Sequence, residues 1–152
     1  STKDFYLVDV YETFVGLVDK YDIDPVNLKI EITETTLMSD LDKNMGIIRR
    51  LQNYGFNIEI DDFGSGYSSL NMLKVISADV LKIDMGFLRA SENEAKGLDI
   101  LESIITLAGK LGMKVITEGV ETKKQLYMLA EMGCDMYQGY YFSKPIPVDE
   151  FE

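Results

Sequence analysis

Five short apolar runs, each closing on polar residues, recur along this chain with helical stretches between them, and that alternation restricts the fold more than any other feature. The runs end at Glu31-Ile32-Thr33-Glu34, Asp61-Asp62, Lys82-Ile83-Asp84, Glu118-Gly119-Val120-Glu121 and Gln138-Gly139-Tyr140. Leu28, Ile30 and Ile32 alternate with Lys29, Glu31 and Thr33, the period of a half-buried strand. Further strands are predicted over 56–60, 79–83 and 113–116. Val8, Tyr11, Val15 and Val18 recur at helical spacing, so residues 4–20 read as an amphipathic helix, broken at Asp24-Pro25. Ile47, Ile48 and Leu51 mark a helix that ends near Gly55, and Ile100, Ile104, Leu107 and Leu111 place one over 96–112. Thr122, with Gln125 three residues on, caps a last helix that runs to Gly133.

Strands that alternate with helices build βαβ units and a parallel sheet, whose ligands collect at the carboxyl ends of the strands. Polar residues from five successive strand ends fit a (β/α) barrel better than a doubly wound sheet, because in a barrel every βα loop faces one mouth. A complete TIM-like barrel has eight strands and ~250 residues. At 152 residues, the chain reads as one partial α/β domain, an incomplete C-terminal portion of a barrel with about five βα units.

Charge and composition remove several function classes. The formal net charge is -11, which disfavours a surface that tracks polymeric nucleic acid, since phosphate neutralisation needs clustered Lys and Arg. Histidine is absent, so a metal here must sit among oxygen ligands suited to magnesium, manganese or calcium. Cys134 has no partner for an intramolecular disulfide and reads as a buried thiol. No apolar run approaches the ~18 residues of a membrane span, and no basic stretch precedes an apolar one at the N-terminus. The expectation is a cytoplasmic protein, with any membrane anchor carried by a segment outside this sequence.

Asp61-Asp62 is the strongest single candidate for chemistry. Adjacent strand residues face opposite ways, so one of the two turns inward unless the strand stops there. Taken singly, the other features have plainer readings. Glu31 fits a solvent-facing strand position, Lys82 and Asp84 an exposed pair, and Glu118 with Glu121 an acidic helix start. Gly64-Ser65-Gly66 is a turn signal, with no lysine in P-loop spacing. Met72, Met113, Met128 and Met132 read as core, and Asp40, Asp42, Glu92 and Glu94 as solvated.

Taken together, these motifs resemble the EAL-domain cyclic-di-GMP phosphodiesterases. The likeness runs from about Phe5 to Phe151. The family's DDFGTGYSSL stretch stands here with Ser65 in place of threonine, and the other four polar clusters match in order and spacing. The resemblance implies hydrolysis of cyclic di-GMP to linear pGpG with Mg2+ or Mn2+ in a two-metal site. Glu31 and Asp61 would hold one ion, and Asp61, Asp62 and Glu118 the other. Lys82, Glu121 and Gln138 would be catalytic, with Asp84 behind them. Glu34 would anchor a loop carrying Gly64, Ser65, Gly66 and Ser68, linking the metals to homodimer contacts. A regulatory or GGDEF-type domain in the parent protein is a further implied partner.

The sequence also departs from the family. The Glu-Ala-Leu signature and the asparagine of the next strand, both metal ligands in full EAL domains, do not occur here. Met85-Gly86 stand where the family carries a polar or basic residue and then serine. The chain alone is therefore expected to be weakly active or inactive. The alternative reading is a non-catalytic module that binds cyclic di-GMP or a partner protein. An unclosed parallel sheet exposes strand edges, so self-association is expected.

Overall fold

The computed structural model describes residues 9–64, 73–86 and 94–151. It consists of two compact units, Ser1–Leu81 and Lys82–Glu152, and the boundary falls inside a strand. Unit 1 holds α1 (Val10–Tyr21), β1 (Lys29–Thr33), α2 (Glu34–Met38), α3 (Leu41–Tyr54), β2 (Asn57–Asp61) and the start of β3 (Val80–Asp84). Unit 2 holds the rest of β3, then α4 (Glu94–Lys110), β4 (Lys114–Glu118), α5 (Lys123–Glu131), β5 (Met136–Tyr137) and α6 (Val148–Phe151).

In unit 1 the strand order is β1-β2-β3, all parallel. β1 and β2 run in register from Lys29↔Asn57 to Thr33↔Asp61. The alternation then decides which face is buried. Ile30, Ile32, Ile58 and Ile60, like Ile48 and Leu51 of α3, are all nearly inaccessible. The opposite face of β1, with Lys29 and Glu31, stays exposed. α1 begins where the Asp9 carboxylate accepts the Glu12 N–H at 3.1 Å. It stops at Tyr21, short of Asp24-Pro25, because Asp22 turns left-handed at φ 51°. Pro25–Asn27 instead forms a short 3-10 turn capped by Asp24.

Unit 2 has the order β3-β4-β5, with Ile116↔Met136 and Thr117↔Tyr137 paired in parallel. Leu101, Ile105 and Ala108 of α4 bury with Met113, Val115, Val120 and Leu129. The expected cap of α5 is present as a full capping box between Thr122 and Gln125.

The two units repeat one local device. α3 and α4 each end on a glycine with positive φ, Gly55 at 121° and Gly112 at 80°. The residue after each glycine bonds back into its helix, Phe56 N–H to Leu51 O at 3.1 Å and Met113 N–H to Ala108 O at 3.0 Å. An aspartate just before the next strand then clamps the preceding one. Asp79 Oδ2 accepts the Ile58 N–H at 2.8 Å, and Asp135 Oδ2 accepts the Val115 N–H at 2.8 Å. Each clamp fixes the start of a strand whose far end carries an acid, Asp61 or Glu118.

Candidate functional site

In unit 1, β2 ends at Asp61, and Asp62 takes a left-handed backbone at φ 56°. Few residues other than glycine adopt that conformation, and aspartate is among those that tolerate it. The strand therefore stops between the two acids, and strict alternation no longer governs them. Asp61 is half-buried and Asp62 exposed, while Phe63 is buried and pins the turn. Glu34, only 2% exposed, opens α2, and its Oε2 accepts the Gly64 N–H at 3.0 Å. That bond ties the turn after β2 to the end of β1. Thr33 caps α2 by accepting the Thr36 N–H at 3.3 Å. Glu31 is exposed, on the face of β1 that carries Lys29. Ser65, Gly66, Ser68 and Met72 lie outside the described residues.

One charged residue of this face went unread in the sequence. Glu59 is buried in mid-strand, and its Oε1 lies 2.8 Å from Lys29 Nζ. The available signal was a carboxylate between Ile58 and Ile60, where a strand buried on both faces has apolar residues.

In unit 2, Lys82 and Asp84 are not an exposed pair. The Lys82 side chain is 6% exposed, and its Nζ lies 3.0 Å from Glu118 Oε1. A buried ammonium needs such a carboxylate, because desolvation of an isolated charge is costly. Asp84 is exposed, and its Oδ1 accepts the Gly86 N–H at 2.5 Å. Met85 is buried and donates its N–H to Glu118 O at 3.0 Å, extending the strand pairing beyond β3.

Glu121 is no helix start either. It precedes the N-cap Thr122, and the first turn of α5 carries no acid. Its N–H donates to Gln125 Oε1 at 2.9 Å. The Gln138 N–H donates to Thr117 O at 2.9 Å, the Val120 N–H to Gln138 O at 3.1 Å and the Tyr141 N–H to Val120 O at 2.9 Å. The backbone thus sets Glu118, Glu121 and Gln138 within one hydrogen-bonded rim, and the Gln138 side chain is exposed on it.

Burial pushes the Cys134 thiol above 9.0, and its sulfur lies 3.1 Å from Thr117 Oγ1. Burial likewise raises the Tyr137 phenol, whose hydroxyl donates to Cys134 O at 2.8 Å. The Cys134 sulfur also lies 3.5 Å from Val115 O and 3.2 Å from Met136 O, so the cluster ties β4 to β5. Met113 is buried as expected, whereas Met128 and Met132 are half-buried. Among the described residues of either unit, no three acidic side chains are gathered closely enough to hold an ion by themselves.

Parallel strands that end in carboxylates, a buried lysine and an exposed glutamine define the class: an α/β protein of the (β/α)-barrel kind with its polar residues at the strand ends. The chain belongs to the EAL domain family, whose model matches residues 1–145. The cyclic di-GMP phosphodiesterase NbdA of Pseudomonas aeruginosa is 42% identical over 125 residues, which make up 82% of this chain and 16% of that protein. The structure of PaMucR phosphodiesterase in its c-di-GMP complex matches with a TM-score of 0.91 and 34% identity, covering 100% of this chain and 62% of that one. A manganese and cyclic-di-GMP complex of Klebsiella pneumoniae BlrP1 matches with a TM-score of 0.83 and 29% identity, over 93% of this chain and 36% of that one. The chain spans less than two thirds of each of these proteins. The α/β, (β/α)-barrel reading is borne out. No described helix is long and apolar enough to cross a membrane.

Proposed function

We propose that this chain is the C-terminal portion of a domain that hydrolyses cyclic di-GMP to linear pGpG, with two divalent ions assisting attack of water. The observation that carries the reading is Lys82, a buried ammonium ion-paired at 3.0 Å with the acid that ends the next strand. Structural packing alone gives little reason to bury a lysine in mid-strand, whereas a phosphodiester substrate is well served by a fixed cation.

The donor set fits hard divalent ions. Glu31, Asp61, Asp62 and Glu118 offer only carboxylate oxygens, and the chain has no histidine. In the proposed assignment, Glu31 and Asp61 hold one magnesium or manganese and Asp61, Asp62 and Glu118 the other. When bound, such ions acidify water and stabilise charge on the phosphoryl oxygens. The left-handed turn at Asp62 frees its carboxylate from the strand's alternation, so that both acids serve one side. Lys82 offsets phosphate charge and orients the water, with Glu118 fixing its ammonium. Gln138 offers an amide to water or ligand, and Glu121 helps hold the rim. Glu34 holds the turn at Gly64 through the Gly64 N–H. Homodimer contacts through that loop, a cytoplasmic location and an attached regulatory domain belong to the same reading.

The test is turnover of cyclic di-GMP with Mg2+ or Mn2+ by the chain and by a version extended upstream. Asp61→Ala is expected to abolish hydrolysis in whichever is active. Binding without turnover by the extended protein would make it a receptor instead.

A further inference from the structure

The ion pair between Lys29 and Glu59 has no part in that assignment. The Lys29 side chain is 46% exposed and that of Glu59 only 3%. Register sets Glu59 opposite Glu31, and Asp61 follows two residues later on the same face. Like charges directly opposite on neighbouring strands repel. Left to itself, Glu59 would be a third carboxylate beside Glu31 and Asp61. Lys29, at the start of β1, engages it instead.

We propose that Lys29 is a positioning residue, which draws the buried Glu59 carboxylate back toward the start of β1 and cancels its charge. Glu31 and Asp61 are then the acids that this face offers to a cation. The inference rests on the two-metal reading and adds to it the element that limits the ligand set.

The experiment is Mn2+ binding to this chain, read as free Mn2+ by electron paramagnetic resonance at one pH, for the unaltered chain, Lys29→Met, Glu59→Gln, the double variant and Asp61→Ala. Lys29→Met uncovers a carboxylate roughly 8 Å from a divalent ion, and in a water-like medium that tightens Mn2+ about fivefold. Glu59→Gln leaves Lys29 as an uncompensated cation and weakens Mn2+ by a similar factor. The double variant stays within about twofold of the unaltered chain by the same arithmetic.

Lys29→Met strands a buried charge and lowers stability, so each variant is also melted. Lost stability weakens binding in every variant, whereas the proposal requires opposite signs, and the double variant carries no stranded charge. Unchanged affinity in both single variants, or weakening in both, overturns the inference while Asp61→Ala still loses Mn2+. If neither the unaltered chain nor its upstream-extended version binds Mn2+, or Asp61→Ala binds it equally well, the two-metal reading falls and this inference with it.

Discussion

Replacing Gly139 with alanine is expected to open the rim of unit 2. A Cβ there would lie 2.8 Å from the Val120 carbonyl carbon and closer still to the Val120 N and O. These are backbone atoms with no rotamer to yield, so the two segments must part. Parting them breaks the Val120 N–H to Gln138 O and Tyr141 N–H to Val120 O bonds, of 3.1 and 2.9 Å. Two hydrogen bonds at about 1 kcal/mol each, about 1–3 kcal/mol of overpacking and about 1–2 kcal/mol of positive-φ strain give a loss of roughly 4–7 kcal/mol. Gly112→Ala is the control, since its φ of 80° is equally unsuited to alanine but nothing lies within 4 Å of the added atom. It should cost only about 1–2 kcal/mol, the strain of a left-handed residue. Urea melts followed by circular dichroism read the totals, and hydrogen exchange at the Val120 and Tyr141 amides reads the site. Equal costs for the two substitutions, with both amides still protected, would refute the steric argument.

Asp79→Ala and Asp135→Ala should each lower stability by about 1–3 kcal/mol, because the N–H of Ile58 or Val115 loses its acceptor at a buried position; thermal melts of each variant check this. Lys82→Met should reduce turnover by about 10²-fold or more in whichever form hydrolyses cyclic di-GMP, on the scale of losing one fixed electrostatic group, and undiminished activity would remove Lys82 from the mechanism. Burial raises the Cys134 thiol above 9.0 and the Tyr137 phenol above 10.0. The folded chain thus favours their protonated forms, a contribution that is whole below about pH 9 and is lost as pH rises through the folded values. The Tm should hold up to about pH 9 and fall as pH rises beyond it, and fall less in Cys134→Ala.

Much of the fold was legible because strands and helices differ in period. The run Leu28, Ile30, Ile32 and the helical spacing of Ile100, Ile104, Leu107 and Leu111 each has one reading, and polar residues at every strand end pointed to one side of a parallel sheet. α2 escaped because five residues carry no period, although Thr33 and Thr36 hold a cap signal. α1 ends at Tyr21, within one residue of the predicted end, although Asp22 rather than proline supplies the turn. Lys82 and Asp84 looked alike as charged residues after an apolar run. What separates them is the face each occupies and a partner acid on another strand, neither of which is local information. Lys29 and Glu59 were missed for the same reason, since only the strand register brings them together.

The most direct test of the proposed chemistry is to run cyclic-di-GMP hydrolysis with Mn2+ in ¹⁸O-labelled water, using the active form and its Asp61→Asn variant, and to weigh the linear product by mass spectrometry. Attack of water at phosphorus predicts one ¹⁸O on the new terminal phosphate and no product from Asp61→Asn. Unlabelled product, or labelled product formed as fast by Asp61→Asn, would contradict it.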